Sequence, residues 1–514
     1  MRSRRAGVLL HATSLPGPFG LGDLGPAVDT FLDWAEAAGQ TIWQVLPLGP
    51  ADFFGSPYDA HSAFAGNPFL ISPAQLVTDG LLPASALDGL SPPEAFGDDA
   101  HAIAWRGDLL RQSWDHFRQH GSAGDREAFQ SFVHGDAQRG WLADWALYAT
   151  LKASYDGQPW TDWSPELVRR EGSALEAART ALGPRIEFQQ YLQFLFFRQW
   201  ERVKHEAHRR SISIMGDLPI YVALDSADVW VNRDFFTVDQ DGQPEQVGGV
   251  PPDYFSATGQ RWGTPLYRWE RMEASGYGWW TERLRANLRV TDLVRIDHFR
   301  GFAAYWSIPA SEPTAVRGVW LPGPGAKLFD VLRAVLGDLP VVAEDLGVIT
   351  PDVVELRKRV GCPGMKVLQF GFSDLDSAHL PHRYTTDTVV YTGTHDNDTS
   401  RGWFDKAPAE DRQRALDYLA SDGRQIEWDL IRAAYTSVAE LAIVPMQDVL
   451  SLGDDARMNT PGQPSGNWRW RATAEQFEAH RAARLRRLVD LTGRLAGEEP
   501  TVPWHEQAPR DQNL

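Results

Sequence analysis

Residues 293–301 read Leu-Val-Arg-Ile-Asp-His-Phe-Arg-Gly, a short apolar run that ends in an acid, Asp297. Two later stretches repeat this arrangement, since Glu344 follows Val-Val-Ala and Asp396 follows Val-Val-Tyr-Thr-Gly-Thr-His. Functional side chains at the carboxyl ends of several parallel strands are typical of a catalytic barrel, where those ends converge on one mouth. The three acids are therefore predicted to lie at the same rim.

Short apolar runs recur along the whole chain, and most end in a polar residue or in glycine. They are Val8–His11, Ile42–Leu46, Ile212–Asp217, Leu293–Asp297, Val341–Glu344, Val367–Phe372, Val389–Thr392 and Leu441–Pro445. Their near-continuous hydrophobicity is typical of strands that are buried on both faces. Helical patterns separate them, for example residues 26–38, which stop at Gly39. This alternation predicts an α/β fold, a closed (β/α)8 TIM barrel.

Two insertions between strands are expected within a single catalytic domain over residues 1–514. Residues 52–186, between the second and third strands, are predicted to form a largely helical subdomain. Residues 222–290, between the third and fourth strands, are rich in Gly, Pro and aromatic side chains and predict an irregular subdomain. Long loops are usually functional or disordered, and the aromatic content argues against disorder. We expect this second insertion to cover the active-site cleft.

The composition is that of a globular protein, with 43% hydrophobic and 23% charged residues among 514. A formal net charge of −18 repels phosphate backbones and anionic lipids, which disfavours nucleic-acid and membrane partners. The single cysteine, Cys362, excludes an intrachain disulfide, and no apolar run approaches the length of a membrane span. The apolar run near the start is too short for a signal peptide. These features predict a cytoplasmic protein.

Paired carboxylates at a barrel rim suit the cleavage of a glycosidic bond. Retention of configuration needs a carboxylate nucleophile and a protonated acid about 5–5.5 Å apart, whereas inversion needs a wider gap that holds a water. Arg295 points to the same strand face as Asp297, so its charge favours an ionised, nucleophilic carboxylate. Glu344 instead requires a pKa raised by burial or by neighbouring acids. His298 and His395 are candidates to donate hydrogen bonds to sugar hydroxyls.

The acids and histidines of these strings are also compatible with two roles other than glycosidic bond cleavage, helix capping and metal binding. An acid after a buried strand can simply cap the next helix, although three such acids, each in a string with Gly or His, favour a functional site. The histidines and aspartates of these strings offer metal-binding side chains, but they lack the tight His spacing typical of zinc sites. No Walker loop, dinucleotide fingerprint or Gly-x-Ser-x-Gly string occurs. Carboxylates supply the required proton and nucleophile chemistry, so we expect no metal and no cofactor.

Several longer strings accompany the three acids. They are His11–Gly17, Ser56–Tyr58, Ser62–Pro68, Gly216–Val222, Arg457–Gly462 and Asn467–Arg471. Together they make the chain resemble, over nearly its whole length, the 4-alpha-glucanotransferases called amylomaltases or disproportionating enzymes, which are relatives of the alpha-amylase clan. The resemblance implies a barrel without the C-terminal β-sandwich of true amylases. The last patterned segment, Thr473–Leu495, accordingly reads as one helix and opens with a capping box.

The resemblance implies a role for each acid. Asp297 corresponds to the nucleophile that forms a β-glucosyl-enzyme intermediate. Glu344 corresponds to the acid/base that protonates the leaving oxygen and then deprotonates the acceptor. Asp396 corresponds to the transition-state stabiliser, which binds hydroxyls of the distorted ring.

The resemblance also implies substrate-binding residues around these acids. The positions that support the cleaved sugar are matched by Asp217, Arg295 and His395. Tyr58 matches an aromatic side chain that stacks on this sugar, and residues 251–262 match a mobile aromatic loop over the acceptor side. Independently of the resemblance, tryptophans in Gly- and Pro-rich loops are candidates to face a ligand; they are Trp262, Trp320, Trp403, Trp468 and Trp470.

The expected activity is retaining transfer of a segment of a 1,4-alpha-D-glucan to the 4-hydroxyl of glucose or of another glucan, with cyclic products where a chain's own end accepts. The expected partners are maltooligosaccharides, starch- or glycogen-derived glucans, and glucose as acceptor. The alternatives are an alpha-glucan hydrolase with the same site and a non-catalytic glucan-binding protein, against which the three acids argue. One departure concerns the acceptor side: Arg383 stands where the family has Asn, and either Asp374 or Asp376 is the candidate acid there.

Overall fold

Eight parallel strands close into a barrel in the computed structural model, which describes residues 4–17, 21–52, 55–88, 99–252, 256–463 and 465–495. The described residues contain twelve strands, of which four lie outside the barrel; in chain order they are β1 (Arg5–Leu9), β2 (Ile42–Gln44), β3 (Ser213–Leu218), β4 (Gln246–Val250), β5 (Gln260–Pro265), β6 (Leu293–Ile296), β7 (Ala304–Pro309), β8 (Val319–Pro322), β9 (Val341–Ala343), β10 (Gly364–Val367), β11 (Thr388–Tyr391) and β12 (Leu441–Pro445). The barrel order is β1-β12-β11-β10-β9-β6-β3-β2, and each neighbouring pair is parallel. The predicted (β/α)8 TIM barrel is confirmed.

The barrel strands are hydrophobic because both of their faces are buried. Successive side chains of a strand point to opposite faces. In β11, Val389 and Tyr391 therefore fill the barrel interior, whereas Val390 packs against the surrounding helices. β11 and β12 are buried at every position.

The sixth barrel strand lies earlier than the sequence predicts. The predicted strand Val367–Phe372 is wrong in its position, since β10 covers Gly364–Val367 and the next four residues, Leu368–Gly371, form a 3-10 turn. Gly364 and Lys366 interrupt the apolar pattern of the true strand and hide it. The more continuous apolar stretch forms a turn instead, and the side-chain amide of Gln369 within it donates to the carbonyl of Asp398 at 2.9 Å.

Helices surround the barrel and build the first insertion. In the described residues they are α1 (Pro26–Ala37), α2 (Pro73–Thr78), α3 (Asp99–His120), α4 (Ala123–His134), α5 (Leu142–Ser154), α6 (Pro165–Val168), α7 (Gly172–Arg209), α8 (Ala227–Val231), α9 (Trp269–Ala274), α10 (Gly278–Val290), α11 (Ala326–Leu336), α12 (Pro351–Val360), α13 (Ser400–Lys406), α14 (Ala409–Leu419), α15 (Ile426–Thr436), α16 (Met446–Val449) and α17 (Ala479–Thr492). The segment between β2 and β3 holds α2 to α7. Within the described ranges, no helix combines the length and the apolar composition needed to cross a membrane.

The last helical segment is broken near its start. The capping box of Thr473 and Gln476 is present as predicted, but it opens only a 3-10 turn, and α17 begins at Ala479. Phe477 leaves the helical path and packs its ring 5.9 Å from the rings of both Phe31 and Trp34. The expectation of one continuous helix over Thr473–Leu495 is therefore wrong.

The second insertion contains a regular sheet. β4 and β5 pair with each other and, through β7, with β8, in the order β5-β4-β7-β8. β4 and β5 belong to the loop after β3, and β7 and β8 belong to the loop after β6, so two barrel loops build this sheet together. The expectation that residues 222–290 are irregular is therefore wrong for β4 and β5. The sequence does not reveal β4, because Gly248 and Gly249 interrupt its strand pattern. Residues 253–255 of the predicted aromatic loop lie outside the described residues.

Candidate active site

The three acids follow barrel strands, as the sequence predicts. Asp297 directly follows β6, Glu344 directly follows β9, and Asp396 lies in the turn after β11. The register pairs Ile296 with Ala343, so Asp297 and Glu344 leave adjacent strands at the same level. The backbone N–H of Glu344 donates to the carbonyl of Ile296 at 3.0 Å and fixes this level.

Arg295 joins two carboxylates in the barrel mouth. Its Nη1 donates to both oxygens of Asp217 at 2.7 and 2.8 Å and lies 3.0 Å from Oδ1 of Asp297. Arg295 and Asp217 are both buried, and they are adjacent because the register pairs them on β6 and β3. The hydroxyl of Tyr58 donates to Oδ2 of Asp217 at 2.7 Å. The guanidinium of Arg295 therefore contacts two carboxylates, those of Asp297 and Asp217.

The surroundings of Asp297 act on its pKa in opposite directions. Burial raises its pKa to about 6, and the negative charges of Asp217 and Asp396 act in the same direction. Arg295 and, more weakly, His395 oppose this rise. Arg295 therefore favours the ionised, nucleophilic form of Asp297, whereas burial and the neighbouring acids favour the neutral form.

Glu344 is held by two backbone groups. The N–H of His298 donates to Oε2 at 2.7 Å, and the N–H of Leu346 donates to Oε1 at 2.9 Å. Burial raises the pKa of Glu344 to about 8, with a contribution from the charge of Asp297, and this rise outweighs the lowering by Arg295 and the two N–H donors. Between the two pKa values, Glu344 carries a proton while Asp297 is charged, which is the pairing required of an acid and a nucleophile.

Asp396 is bonded to the loop that follows β12. Nδ2 of Asn459 donates to Oδ1 of Asp396 at 2.6 Å, and Nε2 of His395 lies 3.4 Å from the same oxygen. Nη2 of Arg457 donates to the backbone carbonyl of Asp396 at 2.6 Å. Neither Asn459 nor Arg457 is predicted as a site residue from the sequence. The string that contains them is visible there, but nothing local to it points to Asp396.

An aromatic wall stands beside Asp217 and Asp396. The ring of Tyr58 stacks on that of His395, with centroids 5.1 Å apart and an interplanar angle of 17°. Trp468 lies 6.0 Å from Tyr58 and 5.9 Å from His395. A cluster of this kind offers an apolar surface beside the carboxylates, which suits the face of a sugar ring.

Trp262 contacts His298, whose backbone N–H is bonded to Glu344. Its ring meets that of His298 edge to face, with centroids 4.8 Å apart, and it lies 6.1 Å from Tyr221. Trp262 is 37% exposed. Burial lowers the pKa of His298 to about 3, so the imidazole is neutral, and its Nε2 is buried without a hydrogen-bond partner among the described residues. This nitrogen is available to a substrate hydroxyl.

Other candidates from the sequence do not meet in this site. Trp320 packs on Trp306, with centroids 5.2 Å apart, and lies under the guanidinium of Arg300. Trp403 packs against Phe372, with centroids 5.6 Å apart. Neither contact involves the three acids, and a ligand-facing role for either tryptophan stays a prediction.

The acids proposed for the acceptor side have partners within their own loop. Asp376 pairs with Arg383 at 2.7 Å, and Oδ1 of Asp374 accepts the backbone N–H of Asp376 at 3.0 Å. Arg383, which departs from the family pattern, thus has its own partner. In the part of the chain that the structure describes, no group of three His, Cys, Asp or Glu side chains is placed to hold a metal ion.

Comparisons with known proteins cover nearly the whole chain. A family model described as 4-alpha-glucanotransferase matches residues 10–476. The 4-alpha-glucanotransferase of Thermus thermophilus is 48% identical over 501 residues, which cover 96% of this chain and 99% of that protein. The 4-alpha-glucanotransferase of Synechocystis sp. is 48% identical over 499 residues, with 96% and 98% covered.

A solved structure extends the agreement to the fold. The amylomaltase of Streptococcus agalactiae, determined in complex with acarbose, superposes with a TM-score of 0.91 at 36% identity. The superposition covers 96% of this chain and 99% of that one. The family resemblance of the sequence is confirmed, and the chain belongs to the 4-alpha-glucanotransferase family.

Proposed function

We propose that this protein cleaves an alpha-1,4 bond of a glucan with retention and passes the donor segment to the 4-hydroxyl of glucose or of another glucan. The observation that carries the proposal is the pair at the barrel mouth. The guanidinium of Arg295 lies 3.0 Å from Asp297, and the carboxyl of Glu344, held on the adjacent strand by two backbone N–H groups, has a pKa raised by burial. Family membership supports alpha-glucans as the substrate class.

The first step forms a covalent intermediate. An oxygen of Asp297 attacks C1 of the donor sugar, and the bond from C1 to the leaving oxygen breaks as Glu344 gives that oxygen its proton. The released glucan carries a free 4-hydroxyl, and the donor segment remains as an ester on Asp297. Asp396 stabilises the positive charge that develops on the distorted ring.

The second step reverses these roles. The carboxylate of Glu344 takes the proton from the 4-hydroxyl of the acceptor, whose oxygen attacks C1 from the side that the first glucan left. The ester bond breaks and restores the carboxylate of Asp297, which Arg295 stabilises. Two inversions at C1 give net retention, and Glu344 regains the proton it began with.

The sheet beside the mouth favours transfer over hydrolysis. We propose that residues 222–290, with Trp262 on β5, cover the acceptor side of the cleft and exclude water while a sugar binds. Trp262 contacts His298, and the backbone N–H of His298 donates to Glu344, which supports a role of Trp262 in covering the site. A second glucan bound on the covered acceptor side is then a better acceptor than water.

Trapping the ester tests the mechanism directly. In the Glu344→Gln variant, α-maltotriosyl fluoride can still react because fluoride leaves without protonation, whereas the missing base slows the second step. Mass spectrometry of the digested protein is expected to find a maltotriosyl adduct on the peptide that contains Asp297. The absence of an adduct, or an adduct on another residue, would contradict the assignment.

A further inference from the structure

Asn459 contacts both residues of the His395-Asp396 pair. Its side-chain Nδ2 donates to Oδ1 of Asp396 at 2.6 Å, and its backbone N–H donates to the carbonyl of His395 at 3.0 Å. Asn459 belongs to the loop after β12, whereas His395 and Asp396 belong to the loop after the neighbouring strand β11. A single residue therefore ties the two loops together at the level of the candidate stabiliser.

Arg457 reinforces the same link. Its Nε donates to the carbonyl of Asn459 at 2.7 Å, and its Nη2 donates to the carbonyl of Asp396 at 2.6 Å. The backbone of Asn459 is thereby fixed relative to the backbone of Asp396. A side-chain amide anchored in this way has little freedom to turn from its acceptor.

The contacts at Asp396 are asymmetric. Among the described residues, each side-chain hydrogen bond or ion pair to this carboxylate goes to Oδ1, from Asn459 at 2.6 Å and from His395 at 3.4 Å. Oδ2 receives none of them. A carboxylate with one oxygen bonded by fixed donors has a fixed rotamer, and the other oxygen is left to bind a ligand.

We propose that Asn459 is a positioning residue that holds Oδ1 of Asp396, so that Oδ2 meets the hydroxyls of the distorted sugar ring in the transition state. This rests on the proposed function, in which Asp396 is the stabiliser. The amide suits the task because it is a neutral donor at this distance. An aspartate in its place has the same shape but no donor, and it adds a second negative charge beside Asp396.

The alternative is that Asn459 only maintains its loop, and Asn467 provides a matched control. Oδ1 of Asn467 accepts the N–H of Thr460 at 2.9 Å, and its Nδ2 donates to the carbonyl of Gln463 at 3.0 Å. The two asparagines share a loop and a residue type, but among the described residues the side chain of Asn467 bonds only within the loop itself. Loss of loop structure alone predicts similar effects of Asn459→Ala and Asn467→Ala.

The test compares Asn459→Asp, Asn459→Ala and Asn467→Ala with the wild type. A hydrogen bond to a charged group is worth about 1.5–3 kcal/mol, so kcat for maltotriose disproportionation is expected to fall about 10- to 100-fold in both Asn459 variants. KM is expected to change little, because an undistorted ring needs Oδ2 less. The affinity for acarbose, whose flattened ring resembles the transition state, is expected to fall with kcat, whereas Asn467→Ala retains both.

A double-mutant cycle separates positioning from a wider structural effect. If Asn459 acts through Asp396, then Asn459→Ala causes no further loss of acarbose affinity in a protein that already carries Asp396→Ala. Additive losses of acarbose affinity in the double variant would overturn the proposal, and so would an unchanged acarbose affinity in the Asn459 variants. Calorimetry measures these affinities without turnover. A wild-type protein that leaves maltotriose unchanged would instead contradict the proposed function.

Discussion

Removing the cation beside Asp297 is expected to move the pH range of activity upward. The variant is Arg295→Met, which keeps an apolar stem of similar length. Without the guanidinium, burial and the charges of Asp217 and Asp396 act on Asp297 unopposed by Arg295. Because these influences favour the neutral acid, the pKa of Asp297 rises and the nucleophile is lost at neutral pH.

The size of the shift follows from the geometry. Nη1 of Arg295 lies 3.0 Å from Oδ1 of Asp297, and the arginine side chain is 4% exposed. With about 4 Å between charge centres and an effective dielectric constant of about 20, the attraction is about 4 kcal/mol. This equals about 3 pKa units, and because the Asp297 side chain is 31% exposed, solvent screening reduces the expected rise to about 1–2 units.

The assay is the pH dependence of kcat/KM for maltotriose disproportionation, which reports the pKa values of the free enzyme. The wild type is expected to show limbs near the pKa values of about 6 and about 8 of Asp297 and Glu344. In Arg295→Met both limbs move to higher pH, because the cation lowers both pKa values. Arg295→Lys keeps the charge and serves as the control, with an acid limb close to that of the wild type. An acid limb that stays in place in Arg295→Met would show that Arg295 does not control the ionisation of Asp297.

Three further predictions concern the acids and the cover. Asp297→Asn removes the nucleophile and is expected to lower the transfer rate by about three orders of magnitude or more while calorimetry still detects maltooligosaccharide binding; full activity would exclude the assignment. Glu344→Gln is expected to raise the melting temperature at pH 9 but not at pH 4. The pKa of Glu344 is raised to about 8 in the folded state, so the wild type loses stability as the pH rises through that value. Equal melting temperatures of the two proteins at pH 9 would contradict the raised pKa of this carboxyl. Trp262→Ala is expected to increase the ratio of reducing ends to transfer products, and an unchanged ratio would remove Trp262 from the cover.

The barrel and its acids follow from local patterns in the sequence. The strand ends of a parallel barrel converge whatever the loops contain, so the apolar runs before Asp297, Glu344 and Asp396 are sufficient to predict one mouth. Asp217 is predicted only through the family resemblance, and its ion pair with Arg295 follows from the register of the neighbouring strands β6 and β3 in the structure. Contacts between adjacent strands are the ones that spacing alone can anticipate.

The parts that the sequence does not predict depend on distant partners. β4 is interrupted by two glycines and is stabilised by β7, which belongs to a different loop. Asn459 lies 63 residues from Asp396, and no periodicity links them. Trp320 shares its loop composition with Trp262, but its ring contacts Trp306 and Arg300, whereas that of Trp262 contacts His298.

Transfer of glucan segments at this site is tested most directly by incubating the protein with maltotriose alone and separating all products by chromatography. Transfer predicts glucose together with maltopentaose and longer chains, without a net gain of reducing ends, because each cleaved bond is replaced by a new one. Products no longer than the substrate, with reducing ends rising as it disappears, would contradict transfer and make the protein a hydrolase.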